Sequence, residues 1–348
     1  MSQLQKIFLP GLLRAITPIV HGEPPEEGAK PRNITTVRRI SYVLPGGGIS
    51  DVPAVSGNAI RGSTRRIFID RTLAVLDAYN LLDKHVAYFL LAGGATEAGS
   101  ASIGGPEFRK ELRENLPFVD LLGGSLRSCF LPGKLRVGFM IPVVQETLES
   151  DPIAMEYGTF EKERVPSLTN LNNAIANRTL KLTRYDEGIF APDETEEAEE
   201  TEAGDEGEQQ ARRRRESGRM IYTGETIPIN TVFTHYFALE WAPEPTVNAF
   251  WAFVDCFVEK GEVGGWYAKG CGRVKATYFD SETKQDITST IKDRAAAYWE
   301  YLKKNKEAIR NYLAELGPKV ERMAKEAAEK KAAQAAENGG GSRGRGRR

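Results

Sequence analysis

The spacing of apolar residues along this chain changes several times, and each change marks an element. Residues 4–20 are rich in Leu, Ile and Val and read as an opening strand. A Pro/Glu/Gly loop (HGEPPEEGAKP) follows, and ITTVRRISYVL then reads as a second extended segment. Gly46, Gly47 and Gly48 form a flexible turn. Ile67 to Leu91 is apolar on nearly every side, which predicts a buried helix. LAGGATEAGSASIGGP is a loop of small residues, EFRKELREN a short charged helix, and RVGFMIPVV (Arg136–Val144) a strand of high β-propensity.

The next 80 residues are polar. RTLKLTRYDEGIF and GRMIYTGETIPI read as the two arms of an extended hairpin, with DETEEAEETEAGDEGEQQARRRR at its tip. That tip has no apolar residues able to build a core, so 193–217 is expected to be disordered. Regular periodicity returns with TVFTHYFALEWA, an alternating strand, and VNAFWAFVDCFVEKG, a helix. GGWYAKGCGRVKATY is a glycine-rich loop entering a strand. From Ser289 to Leu316 an amphipathic helix carries Tyr298, Leu302, Ile309, Leu313 and Leu316 on one face, with a break expected at Gly317-Pro318. A second helix brings the C-terminal pair to residue 337. Residues 338–348, NGGGSRGRGRR, read as a disordered arginine-glycine tail suited to loose phosphate contact or simply to solubility.

Charge alters this picture more than composition does. The chain has 348 residues with 47 Lys and Arg against 48 Asp and Glu, yet ten of the acids lie between Asp193 and Glu208. Without them 38 acids face the 47 basic residues, so the rest of the chain is near +9 and fits a polyanion partner. Three cysteines, far apart and odd in number, build neither a disulfide framework nor a zinc site and point to a reducing, cytoplasmic setting. IFLPGLLRAITPIV is interrupted by Pro10 and Arg14 and reads as neither a signal peptide nor a membrane span, so no membrane partner is expected. Walker, HExxH, CxxC and GxSxG patterns are absent, and no cofactor is expected.

The stretch VSGNAIRGSTRR (Val55–Arg66) concentrates candidate chemistry at a helix start. At about 100° per residue Asn58, Arg61, Gly62 and Arg65 share one stripe, with Ile60 and Ile67 opposite. Ser56 or Asn58 can cap the helix, whose free N–H groups and dipole suit an anion. Arginine forks hold phosphate in a bidentate way. Two glycines in the first turns cost about 1 kcal/mol each, which favours a functional reason for them. Arg38, Arg39, Arg66, Lys269 and Arg273 carry the same chemistry, and Gly264, Gly265, Gly270 and Gly272 would let backbone amides approach the same strand. Trp266 and Tyr267 are candidates for stacking on a base, or for packing in the core. Met220 is a candidate wedge between bases.

SGNAIRGSTRR resembles the segment that opens the first helix in the RAMP superfamily of CRISPR-associated proteins. Three further stretches resemble that superfamily in the same order. LRAITPIVHG is similar to its first strand, LLGGSLRSCFLPGKLRVGFMIPVV to its middle block, and VGGWYAKGCGRVKATY to its C-terminal glycine-rich loop. The layout is most similar to the Cas-seven-type backbone subunit of type IV effector complexes. That resemblance implies an α+β, RRM-like (ferredoxin-like) palm over 1–288, with helical fingers at 80–125 and a hairpin thumb at 149–222. It also implies a CRISPR guide RNA, a complementary target nucleic acid, further copies of the chain in a helical filament, and other Cas subunits as partners. The acidic thumb tip departs from the superfamily's pattern.

A guide must leave its bases free for a target, so such a subunit grips backbone phosphates and need not cut. A guide-processing nuclease would use a histidine near the first helix, but His21, His85 and His235 read as structural. A type III-like nuclease would use a loop aspartate; Lys30 to Ile49 holds no acid, and Asp51 is the only nearby candidate. A stand-alone RNA-binding protein is the remaining alternative.

Overall fold

The computed structural model describes residues 3–23, 34–95, 103–176, 180–185 and 219–340. The acidic block 193–208, Arg212 to Arg215, Arg32 and residues 341–348 lie outside the described residues, as do the side chains of 180–185, 219–222 (Met220 among them) and 335–340. The chain opens with strand β1 (Gln5–Ala15), then β2 (Ile34–Thr35) and a hairpin of β3 (Arg39–Val43) and β4 (Ile49–Pro53). Helix α1 (Gly57–Leu76) follows, and then α2 (Lys84–Ala92), α3 (Pro106–Asn115) and α4 (Pro117–Leu122). A second hairpin, β5 (Gly123–Leu126) and β6 (Cys129–Pro132), leads to β7 (Leu135–Val137) and β8 (Ile141–Pro142).

Short helices α5 (Pro152–Tyr157) and α6 (Leu168–Ala176) precede the arms β9 (Leu180–Tyr185) and β10 (Arg219–Gly224). These arms pair antiparallel as expected, with Arg219 opposite Tyr185, and β10 also takes β2 as a parallel neighbour. The chain ends with β11 (Val232–Ala242), α7 (Glu244–Lys260), β12 (Val274–Tyr278), α8 (Ile291–Lys304) and α9 (Lys306–Gly340).

The main sheet is antiparallel throughout, in the order β12-β1-β11-β7, with β8 also on β11. Helices and antiparallel sheets together make this an α+β fold. One sheet face is apolar: Leu9 and Leu13 of β1 join Phe233 and Phe237 of β11 against Phe68 of α1 and Phe253 of α7. The Phe68 and Phe253 rings meet edge to face at 5.8 Å, and Phe237 and Phe253 at 6.0 Å. Among the described residues no helix is long and apolar enough to cross a membrane.

Three expected elements are subdivided differently. The helix over 67–91 is two helices, because Asp77 adopts a left-handed conformation (φ 50°) that closes α1, and Asp83 caps α2 through the His85 and Val86 amides. The strand over 136–144 splits because Met140 exchanges both backbone hydrogen bonds with Val55, just ahead of α1. The C-terminal helices break at Asn305, whose side chain bonds the Tyr301 carbonyl, and not at Gly317-Pro318. There α9 runs on, because Leu316 and Val320 are buried and a Cβ on Gly317 would sit 2.1 Å from the Asp83 carboxylate. Packing outweighs the proline's cost of about 3 kcal/mol.

His235 lies wholly inside, with Nδ1 3.1 Å from the Tyr278 hydroxyl and its ring 4.7 Å from Phe237. Burial holds its pKa down to about 3 from an ordinary 6.5. Above pH 6.5 neither state protonates this group; between 6.5 and 3 only the unfolded chain does. Stability should therefore fall on acidification through that window, by at most ~1.4 kcal/mol per pH unit from this residue. Urea melts of the wild type and His235→Gln across pH 4–8 check this, the variant losing that part of the acid dependence.

Candidate nucleic-acid interface

The opening motif folds as its spacing requires. The Ser56 hydroxyl accepts from the Ala59 amide and caps α1, and His21 Nε2 accepts the Ser56 N–H at 3.2 Å, so Asn58 is left exposed. That histidine sits at the positive end of a helix beside Arg38, and burial and the arginine lower its pKa. It is structural.

The predicted stripe divides. Arg65 is only 6% exposed, and its guanidinium donates to the carbonyls of Leu90 (2.7 Å), Phe89 (2.8 Å) and Gly123 (2.8 Å). Burial, then Arg61, lowers its pKa to about 10, so it is charged at neutral pH. Nε and Nη2 are thus engaged by protein carbonyls, which makes Arg65 an anchor between α1, α2 and β5, while the residue also lines the cleft that Gly62 borders. Arg61 is half-buried and donates to the Leu122 carbonyl. Arg66 is exposed.

The glycines divide too. A Cβ on Gly57 would lie 2.1 Å from the Val137 carbonyl, so that glycine lets α1 start against β7. A Cβ on Gly62 would meet nothing within 4 Å. Packing explains the first glycine and leaves the second unexplained. Gly62 borders an open cleft of about 370 Å³ lined also by Asn58, Arg61, Arg65, Phe130, Gly133 and Arg136. Arg136 and Phe130 were not singled out from the sequence, although both lie in the LLGGSLRSCFLPGKLRV block. Arg136 is 3.1 Å from Glu240, and Phe130 is 60% exposed.

On the other flank of α1 stands the glycine-rich loop. Tyr267 is half-buried there, with the Lys260 ammonium 4.4 Å from its ring centre. Burial and Glu262 raise the Tyr267 pKa, while a hydrogen bond from Ser63 and the charge of Arg66 oppose them, which places this ring beside α1. Lys269 lies 4.7 Å over the Trp266 ring, and Trp266 covers Gly224. Sequence spacing could not reveal Lys260, which joins the group only through the fold.

The loop amides do not reach outward as expected. Gly265 N–H donates to Val20, Gly272 N–H to Pro18 and Gly270 N–H to Tyr267. A Cβ on Gly264 would sit 2.3 Å from the Val20 carbonyl, so close packing onto the end of the first segment requires that residue. Gly270 alone of the four is exposed with open space around it.

Arg39 is engaged: its Nη1 is 3.4 Å from Glu225, which also accepts the Val37 amide. Arg38 is half-buried against His21, and Arg273 is exposed just ahead of β12. Asp51 is exposed on β4, accepting from the Ser41 hydroxyl at 3.2 Å. Among the described residues no group of three or more His, Cys, Asp or Glu converges as a metal set would.

No family model and no curated protein matches this chain. Solved structures are similar. One of them is a chain described as "Type IV-B CRISPR Complex", at a TM-score of 0.47 and 20% identity, covering 79% of this chain and 92% of that one. A likeness that low leaves the reading of the site to the residues themselves.

Arg65→Ala should destabilise the fold by about 3 kcal/mol, since three buried carbonyls lose their donor, whereas Arg66→Ala should stay within about 0.5 kcal/mol. Chemical denaturation of the two variants reads this directly. Equal effects would mean that Arg65 is not the anchor.

Proposed function

We propose that this chain is a non-catalytic backbone subunit of a CRISPR effector ribonucleoprotein, gripping the phosphates of a guide RNA and presenting its bases for pairing. The observation that carries this reading is the exposed face of α1. Asn58, Arg61, Gly62 and Arg66 stand there between an open cleft with Arg136 and, on the other side, Lys260 at the end of α7 with Trp266, Tyr267 and Lys269 of the glycine-rich loop. Cations beside aromatic rings are what a protein needs to hold single-stranded nucleic acid without reading its sequence.

Two further features support the reading. The four stretches that resemble the RAMP superfamily occupy β1 and its extension, the start of α1, the β5–β8 block and the loop before β12. The elements β1-α1-β7-β11-α7-β12, in the sheet order β12-β1-β11-β7, also follow the β-α-β-β-α-β arrangement of an RRM-like palm. In this reading residues 80–125 are the fingers and 149–222 the thumb. Further copies of the chain, other Cas subunits and a complementary target complete a cytoplasmic complex.

RNA cleavage is not part of the proposal. His21 spends its free ring nitrogen on the Ser56 amide, and His235 is sealed in the core. Asp51 turns to Ser41 on an exposed hairpin. The phosphate-binding arginines cannot accept a proton near neutral pH.

Arg61→Ala with Arg66→Ala should weaken binding to every single-stranded RNA sequence and lower the slope of log K against log salt by about 0.7 per lost contact. Gly62→Ala separates function from folding: it should raise helix stability by up to about 1 kcal/mol and still weaken RNA binding. Unchanged affinity in both folded variants would return this face to ordinary solvated surface. With guide, complementary RNA and magnesium, Asp51→Ala should behave as wild type; regularly spaced cuts lost in that variant would make the protein a nuclease.

A further inference from the structure

The sheet's other face carries a charge arrangement that packing does not explain. In the β1–β12 register Arg14 stands directly opposite Lys275, and both are exposed. Like charges directly opposite on a sheet destabilise it. Arg273, also exposed, lies two residues before Lys275, the spacing that puts side chains on one face of an extended chain. No described side chain forms an ion pair or hydrogen bond with the side chains of Arg14, Lys275 or Arg273.

Next to them the surface is concave and partly apolar. Arg14 lines a cavity of about 250 Å³ together with Phe160, Arg164, Val232 and Asn230. Its one carboxylate, Glu161, is 2.8 Å from Arg164 and so is spent locally. Two exposed isoleucines, Ile16 (49%) and Ile229 (54%), sit on the adjoining backbone, where Asn230 N–H donates to Ala15 and Ile16 N–H to Arg273. The first helix packs on the opposite face, with Leu13, so this site is separate from the α1 interface.

We propose that the outer face of the β1–β12 edge is a second nucleic-acid contact, in which Arg14, Lys275 and Arg273 neutralise phosphodiesters and the Phe160 cavity receives a base. Neutralising an anion relieves the Arg14–Lys275 repulsion, and an aromatic in a partly apolar hollow gives a base somewhere to stack. The ligand class rests on the function proposed above; the site does not use the α1 residues. The phosphodiester belongs either to the strand held at α1 or to a second strand paired with it.

The test is Arg14→Ala with Lys275→Ala in the full chain, beside Arg61→Ala with Arg66→Ala. Both substituted positions are exposed, and removing like charges should leave the melting temperature at or above wild type. Binding of a fluorescent single-stranded RNA, and then of a labelled complementary strand to the preloaded complex, is measured against salt. The expected result is affinity about tenfold lower at 0.15 M salt and a slope reduced by about 1.4. Loss in the first titration assigns the site to the same strand, and loss only in the second assigns it to the partner strand. If both titrations match wild type while the Arg61/Arg66 variant is impaired, this proposal fails and the α1 reading stands. If only the Arg14/Lys275 variant is impaired, the α1 reading fails and this site stands. Unchanged affinity for both strands with loss of a co-purifying polypeptide would make the patch a protein contact and overturn it.

Discussion

One buried guanidinium sets the geometry on which the candidate site depends. Arg65 enters from α1, and its three carbonyl partners come from the end of α2 and from the first residue of β5. A charge placed in the interior is tolerated only when its donors are satisfied, so the three segments must converge in one arrangement. That convergence makes the far wall of the cleft. It also fixes the pitch of α1, so that Arg61 faces the cleft mouth and Arg66 the glycine-rich loop. The neighbouring Arg61 is held less deeply: it gives a donor to Leu122 and lines the same cleft as Arg65.

The glycines obey the same division between building and offering. Gly57 and Gly264 are pressed against carbonyls of Val137 and Val20, and no side chain could replace their missing Cβ. Gly62 and Gly270 face open space at the two sides of the α1 face. A glycine with no steric reason inside a helix costs stability for nothing unless something else approaches it. In the proposed function the approach is from outside, by a phosphate backbone next to arginines.

Much of this was legible in the sequence, and the failures have physical causes. The helix start at Val55–Arg66, the hairpin arms over 180–185 and 219–224, and the strand at 232–242 follow from local patterns, which carry element identity well. The breaks at Asp77 and Asn305 were not legible, because they depend on left-handed backbone and a side-chain bond and not on the Gly-Pro pair that signals a break locally. The role of Arg65 could not be read from the stripe, since helical spacing gives direction and not depth. Lys260 and Arg136 join the site only through the sheet order. The Arg14–Lys275 pairing needs a register between residues more than 250 positions apart, which no local pattern supplies.

The central claim is that the α1 face holds a guide RNA. The most direct measurement is to purify the full chain from cells carrying a CRISPR array, remove loosely held nucleic acid with salt, and sequence what remains, for the wild type and for Arg66→Ala. The account predicts RNA of repeat–spacer sequence on the wild type, reduced in amount on the variant. Random cellular RNA, or no RNA, on the wild type would contradict it.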